Sequence, residues 1–314
     1  MPSQKVQKVH TTPFLGARNI VILLTDIFDI KLRKILCRGT TTMSLNKALT
    51  IAGSDTSGGA GIQADLKTFQ ELGVYGMSAI NVIATMDPKN NWRHSVFPIS
   101  IDAFEAQLET VFSVKLDALK TGMLANVEVI ERIAKYIDEY EVKNVVIDPV
   151  MVCKGEDEVL NPENANALRD VLVPRALIVT PNLFEASQLA GTPPIKTIED
   201  MKAAAAKIHG LGAKYVLVKG GSKLNHDKAV DVLYDGNEFK IYESEKIETT
   251  FVHGAGCSFA AAITAELAKG KSVLEAIDVA KDFVTAAIRH GFKLNEYVGP
   301  TMHGAYRTFG ATVK

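Results

Sequence analysis

The chain has 314 residues, 47% hydrophobic and 23% charged, enough to bury a substantial core as one large α/β domain or two small ones. A formal net charge of -1 supplies neither the basic field that nucleic acid demands nor a cationic stripe for an anionic membrane, so small-molecule chemistry becomes the leading class. Cys37, Cys153 and Cys257 are too scattered for a disulfide framework and form no CxxC or Cys/His zinc cluster, which fits a reducing cytoplasm.

Residues 1–42 differ in kind from the rest of the chain. The apolar run Asn19-Ile20-Val21-Ile22-Leu23-Leu24 is interrupted by Asp26 and Asp29 and followed by Lys31, Arg33 and Lys34. It is too short and too charged to span a bilayer, and its charges lie on the wrong side for a secretory signal. We read residues 1–42 as an extension outside the functional fold and residues 43–314 as a single domain, because clean α/β punctuation starts only near Leu45.

From Asn46, short β-rich runs alternate with helical segments. Ala48–Ala52 reads as a buried strand, followed by the glycine-rich stretch Gly53–Gly61, a helix over about Ile62–Leu72, and a further β-rich run over Met77–Ala84. Helical patterns cover Phe104–Phe112 and Val127–Tyr140. Near-continuous apolar strands then recur at Val145–Val150, Leu177–Pro181 and Tyr215–Gly220. Such strands, separated by amphipathic helices, predict an α/β fold with a mainly parallel sheet covered on both faces. Ala229–Tyr234 and Glu238–Tyr242 flank Asp235-Gly236-Asn237, which predicts an antiparallel hairpin at a sheet edge. Two helices close the pattern. One opens at His253-Gly254-Ala255-Gly256-Cys257, and the next is capped by Ser272 and Glu275 and ended by Gly291.

In an open parallel sheet, ligands bind at the carboxyl ends of the strands. Those ends carry Gly53-Ser54-Asp55, Asp148-Pro149-Val150, Asn182-Leu183-Phe184-Glu185 and Lys219-Gly220-Gly221, and the glycine pair Gly254/Gly256 opens a helix beside them. Carboxylates for Mg²⁺, a lysine for phosphate charge and an anion-cradling helix N-terminus are what phosphoryl transfer needs. No GxxxxGK[ST] motif occurs, so this is not a P-loop arrangement. Taken singly, each residue has a plainer reading: Asp148 as a strand end, Asn182 and Glu185 as a helix cap, Lys219 as a solvated strand end, Asp65 as a surface or capping charge, Met86 as core.

The motifs Ala52-Gly53-Ser54-Asp55, Gly58-Gly59-Ala60-Gly61-Ile62-Gln63-Ala64-Asp65, Thr121-Gly122-Met123-Leu124, Asp148-Pro149-Val150-Met151, Thr180-Pro181-Asn182-Leu183-Phe184-Glu185, Val218-Lys219-Gly220-Gly221 and His253–Cys257 together resemble the hydroxymethylpyrimidine (phosphate) kinase branch of the ribokinase-like superfamily, over Asn46 to Tyr306. The resemblance implies a three-layer sandwich, ATP and Mg²⁺, and phosphorylation of a hydroxymethyl group on a small heteroaromatic ring. It puts Gly53, Asp55 and Asp65 near that ring, with Met86 and Val150 lining it. Asp148, Asn182 and Glu185 would organise phosphate and Mg²⁺, the metal falling to Asp148 and Glu185. Lys219 and Gly221 would face the nucleotide, and Gly254, Ala255 and Gly256 would form the anion hole, although Ala255 stands where a Thr is usual. Cys257 takes the place of a catalytic base, and a helix N-terminus is expected to lower its pKa.

Within that branch the chain resembles the pyridoxal kinases of the lineage, because Cys153 lies in the flap and Met86 stands where pyrimidine kinases place Gln. A thiol adds reversibly to an aldehyde, so Cys153 is expected either to clamp such a substrate or to serve as a small apolar flap residue. A pyrimidine kinase of thiamine synthesis, alone or as a second activity, is the nearest rival, and a non-catalytic ligand-binding protein the next. The hairpin between Tyr234 and Tyr242 and other edge strands offer surfaces for a homodimer.

Overall fold

A computed structural model describes residues 45–151 and 162–310. In chain order the elements are β1 (Lys47–Asp55), α1 (Gly61–Glu71), β2 (Tyr75–Asp87), β3 (Arg93–Pro98), α2 (Ile101–Phe112), β4 (Ala118–Thr121), α3 (Val127–Glu139) and β5 (Val145–Ile147). Then come α4 (Pro162–Ala167), β6 (Ile178–Val179), α5 (Leu183–Ala190), α6 (Ile198–His209), β7 (Tyr215–Gly221), β8 (Ala229–Tyr234), β9 (Phe239–Ser244), α7 (Ala255–Ala268), α8 (Val273–Arg289) and α9 (Ala305–Phe309).

The strands form one sheet in the order β3-β2-β1-β4-β5-β6-β7-β8-β9. Pairing is parallel from β2 through β7 and antiparallel at both margins, where β3 lies on β2 and the β8–β9 hairpin on β7. The edge hairpin stands where its Gly-centred turn predicts. β3 is not anticipated by the sequence reading, and β2 runs beyond the expected Met77–Ala84, because the turn between them is built by Asn91 and Trp92 at φ 49° and 61° rather than by a glycine.

Alternation along the strands sorts the core into two layers. Leu49, Ile51, Leu119, Ile147, Val179 and Val218 face α2, α3, α5 and α6, whereas Ala48, Ala118, Val146, Ile178 and Leu217 face α1, α7 and α8. This is the three-layer sandwich expected from the sequence. The second parity has a consequence for chemistry. Two residues beyond Ala48, Ala118, Val146, Ile178 and Leu217 stand Thr50, Lys120, Asp148, Thr180 and Lys219, a polar row toward the carboxyl ends of the parallel strands on the face that α1 and α7 cover.

Candidate active site

Two glycine loops meet at the end of that row. Gly254, at φ 83°, is the N-cap of α7, and a Cβ there would lie 1.8 Å from the Gly59 carbonyl oxygen, so only glycine allows the loops to touch. Gly256 has no such constraint; the nearest neighbour of an added Cβ is Lys219 Nζ at 3.6 Å. No side chain caps α7, which leaves donors of its first turn to an anion arriving beside the lysine. Ala255 contributes less than expected, because its N–H already donates to Val252 O at 3.1 Å.

Lys219 Nζ is held 2.9 Å from Asp148 Oδ1, which also accepts from Thr180 Oγ1 at 3.5 Å. Asn182 and Glu185 are the two halves of a capping box on α5. The Asn182 N–H donates to Glu185 Oε2 at 2.8 Å and the Glu185 N–H to Asn182 Oδ1 at 3.0 Å. Burial lifts the Glu185 carboxyl to about 8 against the pull of Lys219, with Asp148 adding to the rise. Gly221, at φ 51°, donates its N–H to Asp231 Oδ1 at 3.2 Å, and Lys281 Nζ closes on Asp231 Oδ2 at 2.7 Å. Asp148, Asn182, Glu185 and Lys219 therefore lie together at one edge of the sheet, Gly221 bonds to Asp231 beside them, and the plainer cap reading of Asn182 and Glu185 is also physically present.

The ring side departs further from expectation. Asp55 is spent inside its own loop: Oδ1 accepts from the Ser57 N–H at 2.8 Å, and Oδ2 from the Ala60 N–H at 2.8 Å and meets His253 Nε2 at 2.8 Å. Burial opposes ionisation there, but the hydrogen bonds of His253 and Ser57 hold the carboxyl down to about 2. Its role is a clasp between the two glycine loops. Asp65 is fully buried and pairs with Lys120 Nζ at 2.9 Å. Gly53 packs against Val82, an added Cβ falling 3.0 Å from Val82 Cγ1, and Met86 and Val150 are half-buried. Cys153 lies outside the described residues.

Cys257 stands in the first turn of α7, but its thiol is not the lowered one the helix N-terminus suggests. Burial pushes it up to about 12, Asp65 reinforcing the rise and Lys120 opposing it. Sequence reading misses two residues here. His253 adjoins the glycine motif, and Lys120, the one charge in Ala118-Leu119-Lys120-Thr121, stands on a strand with apolar neighbours.

A sheet of this order, with an ammonium, two carboxylates and an uncapped helix mouth at its carboxyl edge, defines a small-molecule kinase of the ribokinase-like class. The chain belongs to the phosphomethylpyrimidine kinase family, which matches residues 55–302. It is 63% identical over 266 residues to a pyridoxine kinase of Bacillus subtilis, covering 84% of this chain and 98% of that one. A hydroxymethylpyrimidine/phosphomethylpyrimidine kinase of the same organism is 43% identical, covering 84% and 97%. Among solved structures, the ADP complex of Bacillus subtilis pyridoxal kinase superposes with a TM-score of 0.82 at 63% identity, covering 84% of this chain and 99% of that one. The Staphylococcus aureus pyridoxal kinase with AMP-PCP and pyridoxal superposes at 0.81 and 51% identity, covering 85% and 96%.

Proposed function

We propose that this protein transfers the terminal phosphoryl group of ATP to the 5′-hydroxymethyl group of pyridoxal, and of pyridoxine and pyridoxamine, in vitamin B6 salvage. The observation that carries the reading is the Lys219–Asp148 pair, 2.9 Å apart at an uncapped helix mouth beside Cys257, in a chain 63% identical to a pyridoxine kinase.

The donor set fits Mg²⁺. Asp148 and Glu185 offer hard carboxylate oxygens beside the helix mouth. That is the pattern of an ion held by one or two carboxylates and completed by phosphate and water. When bound, Mg²⁺ neutralises charge on the transferring phosphates. Asp148 and Glu185 would hold the ion, and Lys219, 2.9 Å from Asp148 beside the mouth, would direct its ammonium at the phosphates. The α7 N-terminus then supplies backbone donors to the phosphoryl oxygens. Cys257, whose thiol burial keeps protonated, would first release that proton to solvent and then, as the thiolate, take the proton of the hydroxyl. Gly53, Met86 and Val150 line the ring.

ATP consumption measured with pyridoxal, pyridoxine and hydroxymethylpyrimidine, one at a time, tests the assignment. Turnover of the vitamin B6 substrates at least about tenfold faster is expected, and turnover of the pyrimidine alone refutes it. A second, weaker activity on the pyrimidine is favoured by the 43% identity to the Bacillus subtilis pyrimidine kinase. Cys257→Ala is expected to lower kcat about a hundredfold to ten-thousandfold with little change in KM. No described helix is long and apolar enough to cross a membrane. A homodimer built on the edge strands is the further expectation, checked by light scattering.

A further inference from the structure

The mouth pair has a use in this reading, but a second pair does not. Asp65 and Lys120 are both wholly buried, with Lys120 Nζ 2.9 Å from Asp65 Oδ2. Desolvating two ions costs several kcal/mol each, and exchanging such a pair for apolar side chains is often neutral or stabilising. Stability alone does not account for it. Asp65 is also under-bonded: Thr50 Oγ1 donates at 2.6 Å to the same Oδ2 that Lys120 engages, while buried Oδ1 has no partner among the described residues.

The placement of the pair is specific. Gly61 and Asp65 are four residues apart on α1 and share a face, and α7, whose first turn carries Cys257, packs on both α1 and β4. Asp65 thus lies one helical turn along α1 from the glycine loop at the mouth. Lys120 reaches the same space from β4. Gly122 leaves it room, since a Cβ there would lie 2.9 Å from Ala52 Cβ and 3.4 Å from Lys120 Nζ. The charges felt at the sulfur are Asp65 from α1, Lys120 from β4, Asp148 beyond β5 and Lys219 from β7. The first and third raise its proton affinity, and the lysines oppose them.

We propose that the Asp65–Lys120 pair is a positioning device for Cys257, two opposed charges sealed under the helix mouth whose balance sets how readily the thiol parts with its proton. The inference deepens the assignment of Cys257 and rests on it. Removing the Asp65 anion leaves Lys120 to stabilise the thiolate, and removing Lys120 as well cancels that gain.

The test uses the full chain with Cys37→Ser and Cys153→Ala, so that Cys257 is the remaining thiol, alkylated by iodoacetamide at pH 8.5 without substrate and followed by intact mass. D65N is expected to react at least about threefold faster than the parent, and K120Q/D65N at the parent's rate. Equal rates for D65N and K120Q/D65N, or no acceleration in D65N, overturn the proposal. If D65N is too unstable to purify, D65S, which removes the same anion, takes its place under the same two criteria. Faster alkylation of D65N with an unchanged kcat–pH profile upholds the pair's hold on the thiol and removes Cys257 as the base, so the two failures are distinguishable.

Discussion

Two lysine–aspartate pairs, each closed at 2.9 Å, lie on one face of the sheet and differ in what surrounds them. Lys120–Asp65 has side chains 0% exposed on both sides, whereas Lys219 at 15% and Asp148 at 4% reach the mouth of α7. The same ionic chemistry thus has two fates. A sealed pair can act only through a neighbour, while a pair at the edge can open and exchange its partner for a ligand. Exposure of a few per cent, rather than residue type, separates positioning from binding here.

The contrast is broken most directly by deleting each ammonium. Lys219→Met is expected to cut kcat/KM about a hundredfold to a thousandfold, because a charge aimed at the phosphates is lost, with little change in thermal midpoint. Lys120→Met is expected to destabilise the fold by about 3–5 kcal/mol, because it leaves Asp65 charged and buried. Steady-state kinetics beside thermal unfolding checks both. Equal loss of stability in the two variants would erase the distinction.

A third pair sharpens it. Asp55 and His253 join the glycine loops at 2.8 Å, and the Asp55 carboxyl is held at about 2 against an ordinary 3.8. A depressed carboxyl stabilises the fold above the unfolded-state value and loses that contribution as pH falls through the folded one. The window therefore lies between 3.8 and about 2. The contribution is about 2 kcal/mol. Asp55→Asn should lower the unfolding free energy by that amount at pH 7 and flatten its fall below pH 4. A fall of unchanged steepness would assign the acid sensitivity elsewhere.

What is legible in the sequence obeys the same division. The strand-end residues Asp148, Lys219 and Gly221 can be found because chain order puts them at one edge of a parallel sheet, and Asn182 with Glu185 because a capping box has a fixed spacing. The burial of Asp65 against Lys120 is not legible because motif position does not report burial. Its partner Lys120 lies 55 residues away on another element, and no local pattern announces the pair. His253 escapes for a related reason: the contact that gives it meaning, Asp55, is 198 residues distant. The direction of the Cys257 shift is misjudged because a helix N-terminus can be read from sequence while desolvation cannot.

Cys153, which the sequence resemblance assigns to a flap, extends the comparison. If its thiol adds to the pyridoxal aldehyde, sulfur bonding to the carbonyl carbon and the proton passing to oxygen, then Cys153→Ala raises KM for pyridoxal by about tenfold and leaves that for pyridoxine, which has no aldehyde, nearly unchanged. Equal changes would reduce Cys153 to a small apolar residue.

The smallest effect is expected from the largest deletion. The Bacillus subtilis pyridoxine kinase aligns over 98% of its length yet covers 84% of this chain, and the family match begins at residue 55. The polar contacts of the site run from Thr50 to Lys281, within the sheet and its covering helices. A chain beginning at Met43 keeps all of β1, both lysine–aspartate pairs and the Asp55–His253 contact. Its unfolding free energy should fall within about 0.5 kcal/mol of the full chain, with kcat and KM unchanged. A larger loss would mean that residues 1–42 support the fold or the site, and the boundary drawn at Met43 would have to move toward the N-terminus.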